Sequence, residues 1–160
     1  MRCMAAQGLS IIVVDQRMIQ RVRSFLMSVF ASVLYDELLR SIEEMDRRAS
    51  RANCEIVCML SREEMVAALE VEWHYDYVHV NLFGVHQAYR AAGLPRQMLT
   101  WLEERCRKRQ IARIEFETLE ERQNLHRFCE SLGFIKGESF TRGGLCYRRF
   151  RKYIIALLAS

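Results

Sequence analysis

Apolar positions along this chain recur with two periods, and the alternation between them sets out its elements. Ile11 to Val14 is a β-branched run that predicts a short strand. From Gln16 to Ser50 the spacing turns helical, with Met18, Val22, Phe25, Phe30, Leu34, Leu38 and Met45 on one stripe, so one or two helices are expected there. Polar Asp46 to Asn53 closes that region, and Cys54 to Leu60 begins a run of strands. Glu55 to Leu60, Met65 to Trp73 and Tyr77 to Val85 are read as three successive strands. They are separated by Ser61-Arg62-Glu63-Glu64, a hairpin break without Gly or Asn, and by His74 to Asp76. In the third strand Val78, Val80 and Leu82 alternate with His79, Asn81 and Phe83, which predicts one core face and one polar face.

The second half reads as an alternation of helices and strands. Pro95 follows Gly93 and opens an amphipathic helix, Arg96 to Gln110, with Met98, Leu99, Leu102 and Cys106 as its stripe. Ile111 to Thr118 alternates as a strand, Glu120 to Leu132 reads as a second helix, and Gly133 supplies its stop. Phe134 to Phe140 and Leu145 to Phe150 complete the chain as two strands around Gly143-Gly144. This order predicts an α/β fold of the α+β mixed-sheet kind: one domain, a central mixed sheet of six to seven strands, and helices on both faces. Tyr77 to Thr118 is a β-α-β unit, so its strands should be parallel, with anion binding expected where the first strand gives way to the helix.

Composition narrows the class. At 160 residues, with 51% hydrophobic and 28% charged residues, the chain is sized for one domain and is not of disordered type. No apolar run approaches the roughly 20 residues of a membrane span; Phe25 to Leu34 is broken by Ser28 and Ser32. No membrane partner is expected. Met1 to Ser10 lacks the apolar stretch of a secretory signal, so a cytoplasmic, reducing location is expected. Of the six cysteines, Cys3, Cys54, Cys58, Cys106 and Cys146 are read as small buried hydrophobes, and Cys129 as either that or a functional thiol. No Cys or His spacing suggests a metal site. The net charge of +4 draws on clusters at Arg105 to Arg109 and Arg148 to Lys152, which suit solvated faces, an anionic ligand or a nucleic acid.

Val85-His86-Gln87-Ala88-Tyr89-Arg90-Ala91-Ala92-Gly93-Leu94-Pro95 resembles the coenzyme A loop of the GNAT N-acetyltransferase superfamily, a Gln or Arg, two residues, Gly, one residue, then Gly or Ala. Arg90 and Gly93 match, and Pro95 departs from the last position. A helix N-terminus with outward N–H groups suits a pyrophosphate, and a glycine lets the backbone come close. Arg122 to Phe134 is similar to the family's late helix, N-x-x-A-x-x-F-Y-x-x-x-G-F, at Phe128, Gly133 and Phe134. Here Arg122, Leu125 and Cys129 stand where the family has Asn, Ala and Tyr.

The resemblance implies acetyl-coenzyme A as acyl donor and one acyl-coenzyme A N-acyltransferase domain over residues 1–160. It implies cofactor contacts at Phe83, Gly84, Val85, Arg90, Ala91, Ala92, Gly93, Leu94, Arg96 and Phe128, with backbone groups of Phe83 and Val85 holding the pantetheine arm as an added strand. It sets Cys129 where the family's tyrosine acid stands, and His79 on the strand where the family places a base. Four positions before Phe83, His79 lies on the same strand face. Glu72 and Asp76 are reserve bases, and Tyr147 a substitute acid. The acceptor implied is a small-molecule or protein amine. Nucleic acid is not expected, except as a charged RNA acceptor, and a homodimer is considered, with Tyr153 to Ser160 packing on the domain or on a second copy. Two other readings stand beside direct acetyl transfer: a coenzyme A-binding regulatory protein without turnover, and a nucleic-acid-binding module using the arginine clusters.

Overall fold

The computed structural model describes residues 3–5, 8–29, 35–90 and 92–154, with the backbone alone at 3–5 and 35–40. The chain forms two compact units, Met1–Glu72 with Asn81–Leu99, and Trp73–Val80 with Thr100–Ser160.

In the first unit the strand order is β1 (Cys3–Ala5), β2 (Leu9–Val13), β3 (Cys54–Ser61), β4 (Glu64–Trp73) and the later part of β5 (Tyr77–Val85). β1 to β4 pair antiparallel, with a register shift in β3 at Met59/Leu60. β4 is buried along most of its length because it lies between β3 and β5. The helical region divides into α1 (Ile19–Val29) and α2 (Tyr35–Arg48). Their stripes, Val22, Phe25 and Leu26 with Ile42 and Met45, close on Ile56, Cys58, Met65 and Ala68 of the sheet. The stripe positions Phe30 and Leu34 lie outside the described residues. The β3–β4 hairpin turns on Arg62-Glu63, and Arg62 takes the left-handed φ of 57° that Gly or Asn would usually supply.

In the second unit the order is the start of β5, then β6 (Arg113–Leu119), β8 (Leu145–Tyr153) and β7 (Ile135–Arg142). β5 and β6 are parallel, as the β-α-β reading requires, through Tyr77↔Arg113, Val78↔Ile114 and His79↔Glu115; this ladder ends at His79. β6–β8 and β8–β7 are antiparallel. Among the described residues there are eight strands, the short β1 being the one the hydrophobic pattern does not announce. The mixed α+β architecture is the one expected.

α3 (Leu94–Arg109) starts two residues before the expected Arg96, with Pro95 in its first turn where a missing N–H costs nothing. Of the expected stripe Met98, Leu102 and Cys106 are buried and Leu99 is half-buried; Leu94, ahead of the expected helix start, completes the buried face. It ends in a Schellman turn. Gln110 takes φ 57°, Gln110 N–H donates to Arg107 O and Ile111 N–H to Cys106 O. α4 (Gln123–Ser131) starts later than the expected Glu120. The reason is that Glu120 N–H still donates to Cys146 O at 2.9 Å and its carboxylate binds Arg148, which keeps the chain in the strand. Its stop is the predicted one: Gly133 at φ 93°, with Gly133 N–H to Glu130 O and Phe134 N–H to Cys129 O. Phe134 then meets Phe116 edge-on, and Phe116 stacks on Phe150, forming the centre of this unit's core.

Candidate functional site

The anion-binding candidates lie in the first unit. β5 ends at Val85, and His86 N–H donates to Val66 O at 2.8 Å, holding the strand end against β4. A single 3-10 turn, Gln87–Tyr89, follows, capped by His86, whose Nδ1 accepts Ala88 N–H at 3.1 Å. Ala92 N–H donates to Tyr89 O, Gly93 takes φ +74°, and α3 begins at once. Leu94 is fully buried and anchors the helix start, while Arg90, Ala92, Gly93 and Arg96 are exposed beside it. Ala91 lies outside the described residues.

Among the described residues, its chain neighbours aside, a Cβ built on Gly93 would meet no atom within 4 Å, so there is open space beside it. The first N–H groups of a helix have no partner inside it and carry the positive end of its dipole. These features fit a pyrophosphate. Pro95 subtracts one donor from that set.

Gly84 and Val85 are buried and Phe83 is half-buried. Glu72 is half-buried on β4, with Oε2 3.9 Å from the Cys54 sulfur.

His79 belongs to the second unit. Its Nε2 lies 3.5 Å from Glu117 Oε1, and the imidazole is 23% exposed. Glu117 also binds Arg149 at 3.1 Å and Arg142 at 3.3 Å. The His79 contact first, then the arginines, hold its carboxyl at about 2. Asp76 is committed to Arg113 at 3.0 Å. Tyr147 is buried and stacked on Phe140. Phe128 is largely exposed on α4, whereas Cys129 one residue on is buried, and burial pushes its thiol up to about 12. That is the environment of a packing residue, not of a thiol poised to exchange protons.

Two expectations need correcting. Cys146 is exposed, because it sits beside the Gly143-Gly144 turn on the face of β8 opposite buried Tyr147; Cys54 is half-buried, and Cys58 and Cys106 are buried as read. The cluster at Arg148 to Lys152 is largely paired with acids: Arg148 with Glu120, Arg149 with Glu117 and Glu138, Arg151 with Glu115 and Glu138, and Lys152 with Glu103. Arg105 and Arg109 lie over the rings of Trp101 and Trp73. The ion pairs of the second cluster compete with phosphate for those cations. Glu117 and Arg142 are not among the residues singled out from the sequence, whereas Arg149 falls in the Arg148 to Lys152 cluster; the alternation Arg113-Glu115-Glu117 against Arg149-Arg151 carries the charge complementarity.

Residues 19–134 match the sequence profile of the Acetyltransferase (GNAT) family, and the chain belongs to that family. Its fold is shared with the ribosomal-protein-S18-alanine N-acetyltransferase of Escherichia coli, with a TM-score of 0.76 at 16% identity over 95% of this chain and 98% of that one. An aminoglycoside 6'-N-acetyltransferase complexed with coenzyme A superposes with a TM-score of 0.71 at 15% identity, over 91% and 97%. A variant of the spermidine N-acetyltransferase of Vibrio cholerae gives 0.69 at 9% identity, over 91% and 94%. No curated protein sequence matches the chain.

Proposed function

We propose that this chain is an N-acetyltransferase that moves an acetyl group from acetyl-coenzyme A directly to a primary amine, with residues 1–160 acting as one acyltransferase domain. Acetyl-coenzyme A is the cosubstrate that goes with the family. The observation that carries the reading is Gly93, a left-handed residue with open space above it at the start of α3, reached from the end of β5. Arg90, Ala92, Gly93, Leu94 and Arg96 hold the pyrophosphate, chiefly through backbone N–H groups. Phe83, Gly84 and Val85 present strand backbone to the pantetheine arm, which suits a strand whose parallel ladder stops at His79.

When bound, the cosubstrate supplies an activated thioester carbonyl. The amine nitrogen forms a C–N bond to that carbon as the C–S bond breaks, and the amine's proton goes to His79. An ammonium has no lone pair, so a base must act before or during attack. The sulfur leaves as a thiolate, a far better leaving group than an alkoxide, and takes its proton from solvent or a nearby group, so no dedicated acid is obligatory. Cys129, buried in the core, then has no required part in the step, and its replacement of tyrosine does not forbid turnover.

Relatives in fold include enzymes named for a ribosomal protein, an aminoglycoside and spermidine, so small-molecule and protein amines are both in range for the acceptor. The test is intact-mass screening of amine pools, peptides with free N-termini included, for a gain of one acetyl group. Coenzyme A binding with no acetylated product from any pool would replace this reading by that of a regulatory coenzyme A-binding protein.

A further inference from the structure

Building on the reading of His79 as base, we infer that Glu117 is its positioning residue: held by Arg149 and Arg142, it fixes the imidazole with Nε2 protonated and Nδ1 as the proton-accepting atom. The sheet register brings these groups together. β5 pairs His79 with Glu115 of β6, which puts Glu117 two residues further along the same face. β8 then sets Arg149 opposite Glu117 and Arg151 opposite Glu115.

The atoms of Glu117 are divided in a definite way. Oε1 receives Arg149 Nη2 at 3.1 Å and faces His79 Nε2 at 3.5 Å, while Oε2 faces Arg142 Nη1 at 3.3 Å. Arg142 is itself laid over the Tyr147 ring at 4.8 Å, and Arg149 is shared with Glu138 at 3.0 Å, so neither clamp swings freely. Glu117 is 12% exposed. A 3.5 Å contact is long, as catalytic hydrogen bonds often are before substrate binds.

The chemistry assigns the direction of the proton. A carboxylate flanked by two guanidinium groups stays ionised at working pH, so it accepts hydrogen bonds and does not take up the substrate's proton. The nitrogen facing it must therefore carry hydrogen, and in a neutral ring the lone pair is then on Nδ1. When the amine's proton passes to Nδ1, the resulting imidazolium lies beside a fixed negative charge. Across the neighbouring strands the other charged groups are Glu115 with Arg113 and Arg151 on β6 and β8, and Glu138 on β7; Arg113 is shared with Asp76, and Glu138 joins this group to the Glu117 cluster through Arg149.

The test begins with the unmodified protein. ¹⁵N NMR of the neutral imidazole should show Nε2 bearing hydrogen and Nδ1 bare; the opposite tautomer overturns the inference. In Glu117→Gln the carboxylate's charge is removed while Arg149 and Arg142 remain, so the His79 titration midpoint should fall by about one unit. An unmoved or raised midpoint overturns it.

Turnover of acetyl-coenzyme A with an amine found by the mass screen completes the test. Glu117→Gln should lower kcat about tenfold or more with KM for acetyl-coenzyme A unchanged, shift the acid limb of the rate to lower pH, and have no further effect in the His79→Ala background. Loss of rate in that background would make Glu117 act independently of His79 and would reject the positioning role. Full turnover in His79→Ala alone would instead reject His79 as base, whatever the tautomer shows.

Discussion

Arg48 binds Glu70 through a single carboxylate oxygen: its Nε donates to Oε1 at 2.9 Å and its Nη2 lies 2.6 Å from the same atom. Glu70 Oε2 is buried without a hydrogen-bond partner among the described residues. Glu70 is 2% exposed, and desolvation raises its carboxyl pKa, against the lowering influence of Arg48.

Arg48→Met should therefore destabilise the protein by about 3–5 kcal/mol, because it leaves a buried acid without its counter-charge. Glu70 has a raised folded pKa, so the stability linked to its proton is present below the unfolded value near 4.3 and is lost as pH rises through the folded one. Removing Arg48 raises the folded value further. The deficit, measured by urea unfolding, should be smaller at pH 5 than at pH 8, and an equal deficit at both would show that Glu70 is not its source.

Gly93 has a natural control in Gly8, which takes φ +75° against its own +74° and likewise has, among the described residues beyond its chain neighbours, nothing within 4 Å of a built Cβ. Valine at either position should cost at least about 1–2 kcal/mol of stability from left-handed strain alone. Only Gly93→Val should also weaken coenzyme A binding, by about tenfold or more, since only there would the side chain occupy ligand space. Calorimetry showing equal affinity in both variants would remove the loop from the cofactor site.

His79→Ala should lower turnover by about a hundredfold or more while leaving cofactor affinity nearly unchanged. The rate should rise with pH through the histidine's titration in the parent protein, because only neutral imidazole accepts a proton, and that limb should vanish in the variant. Persistence of the limb would assign it to the acceptor amine.

Alkylation should distinguish the cysteines by burial. Cys146 should react with iodoacetamide first and Cys54 more slowly, while Cys58, Cys106 and Cys129, whose thiols burial pushes up to about 11, 12 and 12, should react only on unfolding. Peptide mapping over time reads this out; early labelling of Cys129 would contradict its place in the core.

What was legible beforehand is what local chemistry decides. The Met98-Leu102-Cys106 stripe is a period within one helix, and Gly133-Phe134 is a stop whose geometry needs only the residues around it. The turn at Arg62 was harder, because a non-glycine residue adopts the left-handed conformation there and only the surrounding hairpin compels it. Likewise the late start of α4 depends on Glu120 meeting Arg148 across the sheet. The relation of Glu117 to His79 is a matter of register between β5, β6 and β8, and a one-residue slip in any pair would have put those side chains on opposite faces. The length of a strand run does not reveal that register.

Neither compact unit is a contiguous stretch of chain, and the three crossings between them fall inside regular elements: Glu72 to Trp73 within β4, Val80 to Asn81 within β5, and Leu99 to Thr100 within α3. Proteases cut where backbone is exposed and irregular, and these junctions are neither. Limited digestion should thus release no half-molecule, and no single truncation can express one unit whole. Recombination with a homologue would have to exchange paired segments together, since a simple splice at any of these junctions would leave at least one hybrid unit assembled from two parents.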